Sequence, residues 1–83
     1  MTAVGIDVGK AALDVAIFGE PKVHRLANTA AGIRRLVRWL QDREDVRIVV
    51  EATGGYEEAV LRRVPHQLAP SRCAHHFFAT LAW

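Results

Sequence analysis

The order of apolar runs along this 83-residue chain predicts one small α/β domain with the element order β-β-β-α-β-α over residues 1–64. Two apolar runs rich in β-branched residues, 3–8 and 46–50, have the length and composition of strands. Between them, apolar residues recur with the period of one helical face. A hydrophobic fraction of 51% supports a globular chain rather than a disordered one.

The first three elements are predicted as an antiparallel meander. Thr2 to Val8 is the first strand, and Leu13, Val15 and Ile17 alternate with their neighbours in the second. A short turn at Gly9-Lys10 then makes these two strands a hairpin. Residues 22–26 follow as a third strand.

A helix and a crossover are predicted next. Asn28-Thr29 resembles a helix N-cap, and the apolar stripe after it has the spacing i, i+3, i+4, i+7. The stripe comprises Ile33, Leu36, Val37 and Leu40. A crossover through a helix places the following strand, 46–51, parallel to an earlier one. Ile48-Val49-Val50 does not alternate, which predicts a strand covered on both faces.

A second helix is predicted after the fourth strand. Thr53 is expected to cap it, and Gly54 and Gly55 to allow close approach to its backbone. Pro65 is expected to end it. Its first N–H groups would then lie beside the end of the fourth strand, where backbone amides favour a phosphate.

Two acids occupy corresponding places on the predicted sheet. Asp7 ends the first apolar run, and Glu51 ends the fourth strand. If these strands are adjacent and parallel, both carboxylates meet at one edge, where ligands bind in open α/β sheets. Two neighbouring carboxylates repel unless a cation lies between them, so the pair predicts a Mg²⁺ or Mn²⁺ site. Taken singly, either acid is equally compatible with a solvated turn.

Three arginines fall beside the apolar stripe of the first helix. Arg34, Arg35 and Arg38 are compatible with a solvated basic face, whose aliphatic stems pack along the helix. They are also compatible with contacts to nucleic-acid phosphates. Trp39 beside the stripe is interpreted as packing at the rim rather than as a platform for base stacking.

Composition excludes several classes of protein. No apolar stretch is long enough to span a bilayer, and the first residues lack a signal peptide's basic region and apolar core. The single cysteine, Cys73, cannot form an internal disulfide, which fits a cytoplasmic protein. Its spacing from His75 and His76 matches no zinc pattern.

Three segments together resemble a known family. They are Gly5-Ile6-Asp7-Val8-Gly9-Lys10, Leu13-Asp14-Val15-Ala16-Ile17, and Val50-Glu51-Ala52-Thr53-Gly54-Gly55-Tyr56-Glu57. They resemble the N-terminal, RuvC-like domain of the DEDD-type insertion-sequence transposases related to the Piv invertases. The resemblance covers residues 3–64 and implies a ribonuclease H-like fold, incomplete at its C-terminus.

The resemblance also implies function. Such transposases move DNA segments with four acids, in the order Asp, Glu, Asp, Asp, that bind divalent metal. Asp7 and Glu51 match the first two acids and are the catalytic and metal-binding candidates. Lys10, Thr53, Gly54 and Gly55 are assigned to nucleic-acid binding beside them. Some members are guided by an RNA, and members carry a further domain with a nucleophilic serine.

Residues 65–83 depart from the family pattern. They contain two prolines, no acid and no period of 2 or 3.6, whereas residues 1–64 have ten basic and nine acidic residues. The sequence therefore predicts an aberrant, poorly structured tail after a truncated transposase domain, with the chain alone inactive. The exposed sheet edge left by the missing strand is expected to favour self-association.

Two alternatives remain open from the sequence. Actin-like sugar kinases begin with a similar Gly-Ile-Asp-x-Gly strand, but Glu51-Ala52-Thr53-Gly54-Gly55 has no obvious place so early in a kinase. The other alternative is a non-catalytic module that binds nucleic acid through its arginines. Stabilisation by nucleotide favours the kinase, and salt-sensitive binding without metal favours the module.

Overall fold

The computed structural model describes residues 2–53, 55–64, 67–73 and 76–82, and for residue 53 and the last two ranges it describes the backbone alone. The predicted order β-β-β-α-β-α is confirmed, and two further strands follow it. The elements are β1 (Thr2–Val8), β2 (Ala12–Ile17), β3 (Val23–Ala27), α1 (Ala30–Gln41), β4 (Val46–Thr53), α2 (Glu58–Arg63), β5 (Gln67–Cys73) and β6 (His76–Ala82).

The strands form one mixed sheet in the order β3-β2-β1-β4-β6-β5. The first three strands are an antiparallel meander, as predicted from their turns. β4 pairs with β1 in the parallel direction, which confirms the crossover through α1. The two strands that end in the candidate acids are therefore neighbours in the sheet.

The core lies on one face of this sheet. Alternate residues of β1, β2 and β4 are buried there, and they meet the apolar stripe of α1. Ile33, Leu36 and Leu40 of that stripe are completely buried. Val60 of α2 is also completely buried, so both helices contribute to the same core.

The opposite face of the sheet is open in the part of the chain that the structure describes. Val49 is 52% exposed, although Ile48 and Val50 on either side of it are fully buried. The prediction that β4 is covered on both faces was therefore wrong. β4 alternates like an antiparallel strand because α1 and α2 pack on the same side of the sheet.

The first helix begins where its capping residue predicted. Thr29 is the N-cap, and its hydroxyl Oγ1 accepts a hydrogen bond from the backbone N–H of Gly32 at 3.1 Å. Trp39 lies at the rim of the core. Its ring centre is 4.5 Å from that of His24 and 5.6 Å from the Cζ atom of the Arg43 guanidinium. These contacts confirm rim packing for Trp39.

The second helix starts later than predicted. Thr53 is the last residue of β4 rather than a helix cap, and α2 begins at Glu58 after an N-cap at Glu57 that makes no side-chain cap bond. Gly55 lies in the intervening turn with φ +83°, a left-handed conformation that favours glycine. Pro65, the predicted end of the helix, lies outside the described residues.

The last two described ranges pair as an antiparallel hairpin, with β6 against β4 and β5 at the outer edge. The expectation of little regular structure after residue 64 is not met by the backbone of these ranges. Pro70 lies in the outermost strand, where a missing N–H is tolerated. The edge of β4 that was expected to drive self-association is covered by β6. No helix within the described ranges is long and apolar enough to cross a membrane.

Candidate metal centre

Asp7 and Glu51 are direct neighbours on adjacent strands. In the parallel pairing of β1 with β4, the Cα of Asp7 is in register with that of Glu51. Neighbouring strands lie about 4.8 Å apart, and residues in register point to the same face. Both side chains are exposed on the open face. The structure thus confirms the predicted adjacency of the two acids on neighbouring parallel strands.

The sheet surface beside the two acids is shallow and centres on Gly5, which has no side chain. Gly5, two residues before Asp7, is in register with Ala16 on one side and with Val49 on the other. A Cβ added to Gly5 would meet nothing within 4 Å. The acids and this surface line a shallow cavity of about 320 Å³. Its lining comprises Gly5, Ile6, Asp7, Asp14, Ala16, Val23, Val49 and Glu51.

A third carboxylate, to which the sequence analysis assigned no role, lies in the same row. Asp14 of β2 is in register with Asp7, on the side away from Glu51. Its carboxylate accepts hydrogen bonds from the Arg25 guanidinium, at 2.9 Å from Nε and 3.3 Å from Nη2. Arg25 therefore compensates the charge of Asp14. The signal was present in the alternation of β2, which places Asp14 on the face opposite Leu13 and Val15.

Arg25 holds the pKa of Asp14 below its ordinary value of 3.8, chiefly because the hydrogen bond favours the charged carboxylate. A lowered folded-state pKa stabilises the fold above pH 3.8, and this contribution disappears as the pH falls through the lowered value. We expect Arg25→Gln to raise the pKa of Asp14, measured by carboxyl ¹³C titration. An unchanged pKa in this variant would contradict the role of Arg25.

Asp7 and Glu51 fit a hard divalent cation as a partial site. Within the described ranges, neither carboxylate takes part in a hydrogen bond or an ion pair, so their oxygens remain available. Carboxylate oxygens are the ligands that Mg²⁺ and Mn²⁺ prefer. No group of three or more metal-binding side chains is assembled among the described residues. The remaining positions around such an ion would be left to water or to a phosphate.

The turn after β1 exposes Lys10, three residues after Asp7. Lys10 is exposed in a turn closed by the bond from Gly9 N–H to the Ala12 carbonyl at 2.9 Å. The side-chain amide of Asn28 donates to the Gly9 carbonyl at 2.8 Å. The sequence grouped Asn28 with the helix cap, but its side chain instead ties the end of β3 to this turn. Lys10 follows Asp7 by three residues, beyond the end of the strand.

The residues after β4 differ from the predicted start of the second helix. Thr53 remains in β4, two residues after Glu51, and Gly55 lies in the turn before α2, while Gly54 lies outside the described residues. α2 is only six residues long and starts seven positions after Glu51, too far along the chain to continue directly from the strand. Glu57, which the sequence analysis left without a role, is only 1% exposed.

The structure separates the three arginines of α1 from the acids, and Arg35 from the other two. They are on a helix that covers the buried face of the sheet, whereas Asp7 and Glu51 are on the open face. Arg34 and Arg38 line a groove with Arg63 of α2. Arg35 lies in a different recess beside Trp39. These arginines are therefore on the opposite side of the sheet from the acids.

The element order, the mixed sheet and the two adjacent acids are together consistent with the N-terminal part of a ribonuclease H-like domain. The chain belongs to the IS110-type DEDD transposase family, whose model, described as a transposase, matches residues 4–70. This match extends beyond residue 64, into β5. No curated protein and no solved structure is significantly similar to the chain. Family membership implies DNA transposition, DNA binding and a divalent metal.

Proposed function

We propose that this chain supplies the first two metal-binding acids of a DNA transposase and places them against a DNA phosphodiester. The observation that supports this most strongly is the in-register pair Asp7 and Glu51 on an open sheet face. Bound there, Mg²⁺ or Mn²⁺ would supply a positive charge to stabilise a phosphate during cleavage. The family match favours this function over that of an actin-like sugar kinase.

The chain's own residues would bind and orient the DNA. Gly5 has no side chain and Ala16 beside it has only a methyl group, so a sugar-phosphate backbone could approach the acids closely from that side. Lys10, at the end of β1, would contact a neighbouring phosphate as a point charge. Asn28 would act as a positioning residue, because it fixes the turn that carries Lys10. A guide RNA, as some family members use, would be an additional partner.

We further propose that this chain alone neither cuts nor joins DNA. Residues 59–83 contain no Asp or Glu, so they hold no counterpart of the family's last two acids. Two carboxylates leave a metal ion loosely held, whereas in-line displacement needs ligands fixed to within roughly 0.5 Å.

The test is binding of the purified chain to DNA that carries the element's ends, with and without Mn²⁺. We expect Mn²⁺ to raise the affinity for DNA, because the ion links the acids to a phosphate, and we expect no cleavage. Asp7→Asn should abolish the Mn²⁺-dependent increase, while Glu44→Gln, an exposed acid in the loop before β4, should preserve it. Metal-dependent cleavage that Asp7→Asn abolishes would show a complete enzyme instead. An Mn²⁺ effect unchanged in Asp7→Asn would refute the site.

A further inference from the structure

The groove between α1 and α2 holds a concentration of positive charge. Arg34, Arg38 and Gln41 follow one side of α1, and Arg63 projects from α2 to complete the lining. Val37 provides an apolar floor, and the groove encloses about 400 Å³. This space is much larger than a single small anion requires, since one water molecule occupies about 30 Å³.

Ion pairing distinguishes these arginines from four others, although Arg35, outside the groove, also has no ion pair among the described residues. Arg25, Arg43, Arg47 and Arg62 each pair with a carboxylate, at distances from 2.9 to 3.7 Å. Within the part of the chain that the structure describes, Arg34, Arg38 and Arg63 form no such pair. Arg62 and Arg63 are adjacent in sequence, yet the one outside the groove is paired and the one inside it is not.

Helix dipoles account for only part of this arrangement. Arg38 and Arg63 are in the last turns of their helices, where positive charge is favourable in any protein. Arg34 is in the first half of α1, far from that end, and still lines the same groove. Like charges brought together without carboxylates repel one another, so the cluster lowers stability unless an anion occupies it.

We propose that this groove binds the phosphodiester backbone of a nucleic acid, as a second contact surface separate from the metal centre. Guanidinium groups bind phosphate oxygens in a bidentate manner, and a glutamine amide can add a hydrogen bond to phosphate or sugar. The groove lies on the helix side of the sheet, while Asp7 and Glu51 lie on the open side. The strand bound here is therefore not the segment held against the acids. DNA and RNA both have a phosphodiester backbone, so the chemistry of the groove fits either nucleic acid.

The experiment measures binding of the whole chain to fluorescent duplex DNA, duplex RNA and single-stranded RNA of equal length, in EDTA and over a range of salt. The variant is Arg34→Gln/Arg38→Gln/Arg63→Gln. The control is Arg43→Gln/Arg47→Gln/Arg62→Gln, which removes the same net charge from paired arginines. Removal of three phosphate contacts should lower the magnitude of the salt slope by about 2–3.

We expect the groove variant to bind at least about tenfold more weakly and the control less than about threefold more weakly. The nucleic acid whose affinity falls more in the groove variant, DNA or RNA, is the ligand of the groove. Equal losses in the two variants, or no loss in the groove variant, would overturn the proposal. EDTA removes divalent cations, so the outcome is independent of the metal centre.

A second measurement on the unmodified chain remains decisive if the variant does not fold. Phenylglyoxal modifies exposed arginines, and mass spectrometry locates the modified positions. Bound nucleic acid should protect Arg34, Arg38 and Arg63 more strongly than Arg43 and Arg47. Equal protection at all five positions would contradict a specific groove.

Discussion

Gly32→Ala should strongly destabilise the chain. Gly32 is buried in the first turn of α1, where the helix approaches the end of β3. A Cβ at this position would lie 1.9 Å from the carbonyl oxygen of Ala27 and 2.8 Å from its carbonyl carbon. These are backbone atoms, so relief requires the helix to move away from the sheet. Overpacking in a core costs about 1–3 kcal/mol or more, and a small domain has only about 5–15 kcal/mol in total.

The matched control is Gly5→Ala on the open face. A Cβ there meets nothing within 4 Å, and alanine in a strand interior is favoured over glycine by about 0.5–1 kcal/mol. Thermal unfolding followed by circular dichroism should show a melting temperature for Gly5→Ala at or above that of the wild type, and one lowered by at least roughly 5–10 °C for Gly32→Ala. A melting temperature for Gly32→Ala close to that of the wild type would mean that α1 does not pack as described.

Asp7→Asn should make the metal-free chain more stable and insensitive to Mn²⁺. Asp7 and Glu51 are like charges in register on adjacent strands, and such pairs cost roughly 0.2–1 kcal/mol. In the wild type, Mn²⁺ at ten times its dissociation constant should add about 1.4 kcal/mol, which raises the melting temperature by roughly 5–10 °C. We expect that dissociation constant to be on the order of 10⁻⁴ to 10⁻³ M, as for the weakest divalent-cation sites.

Glu51→Gln should behave in the same way, and Glu44→Gln is the control. Glu44 is in the loop before β4, at the opposite end of the strand from Glu51. The Glu44→Gln variant should leave the Mn²⁺-dependent rise in melting temperature unchanged. If Mn²⁺ stabilises Asp7→Asn as much as the wild type, the ion binds elsewhere. If Glu44→Gln removes the effect, the ion binds at the loop.

Local patterns predicted the elements that the core depends on. The alternation of Leu13, Val15 and Ile17, and the helical stripe around Leu36, each match a face that is buried. Thr29 predicted the start of α1 because a hydroxyl cap acts within one turn of the helix. A connection through a helix usually joins parallel strands of one sheet. This rule placed Asp7 beside Glu51 without any information about side-chain packing.

Other features depend on packing that no local pattern contains. Whether Val49 is covered depends on which side α2 takes, and three adjacent β-branched residues are compatible with either arrangement. Thr53 has the chemistry of a cap, but pairing with the neighbouring strands extends β4 through it. The hairpin of β5 and β6 has no clear period and depends on pairing with β4. The division of the chain at residue 64 and the aberrant origin of the tail stay predictions.

The surroundings of the site were only partly predictable. Asp14 meets Asp7 because of the hairpin register, and its pairing with Arg25 depends on a third strand. The groove joins Arg34 and Arg38 to Arg63, which is 25 positions further along the chain. Sequence spacing grouped Arg35 with Arg34 and Arg38, although the helix turns Arg35 towards Trp39.

The central claim is that Asp7 and Glu51 together hold one divalent cation on the open face. The most direct measurement is paramagnetic broadening of backbone amide signals in ¹H–¹⁵N spectra as Mn²⁺ is titrated into the chain. We expect the signals of residues around Asp7 and Glu51 to broaden first and together, and those of the loop at Glu44 to persist. Asp7→Asn should eliminate this selective broadening. Broadening that centres on another group of acids, or that persists in Asp7→Asn, would contradict the claim.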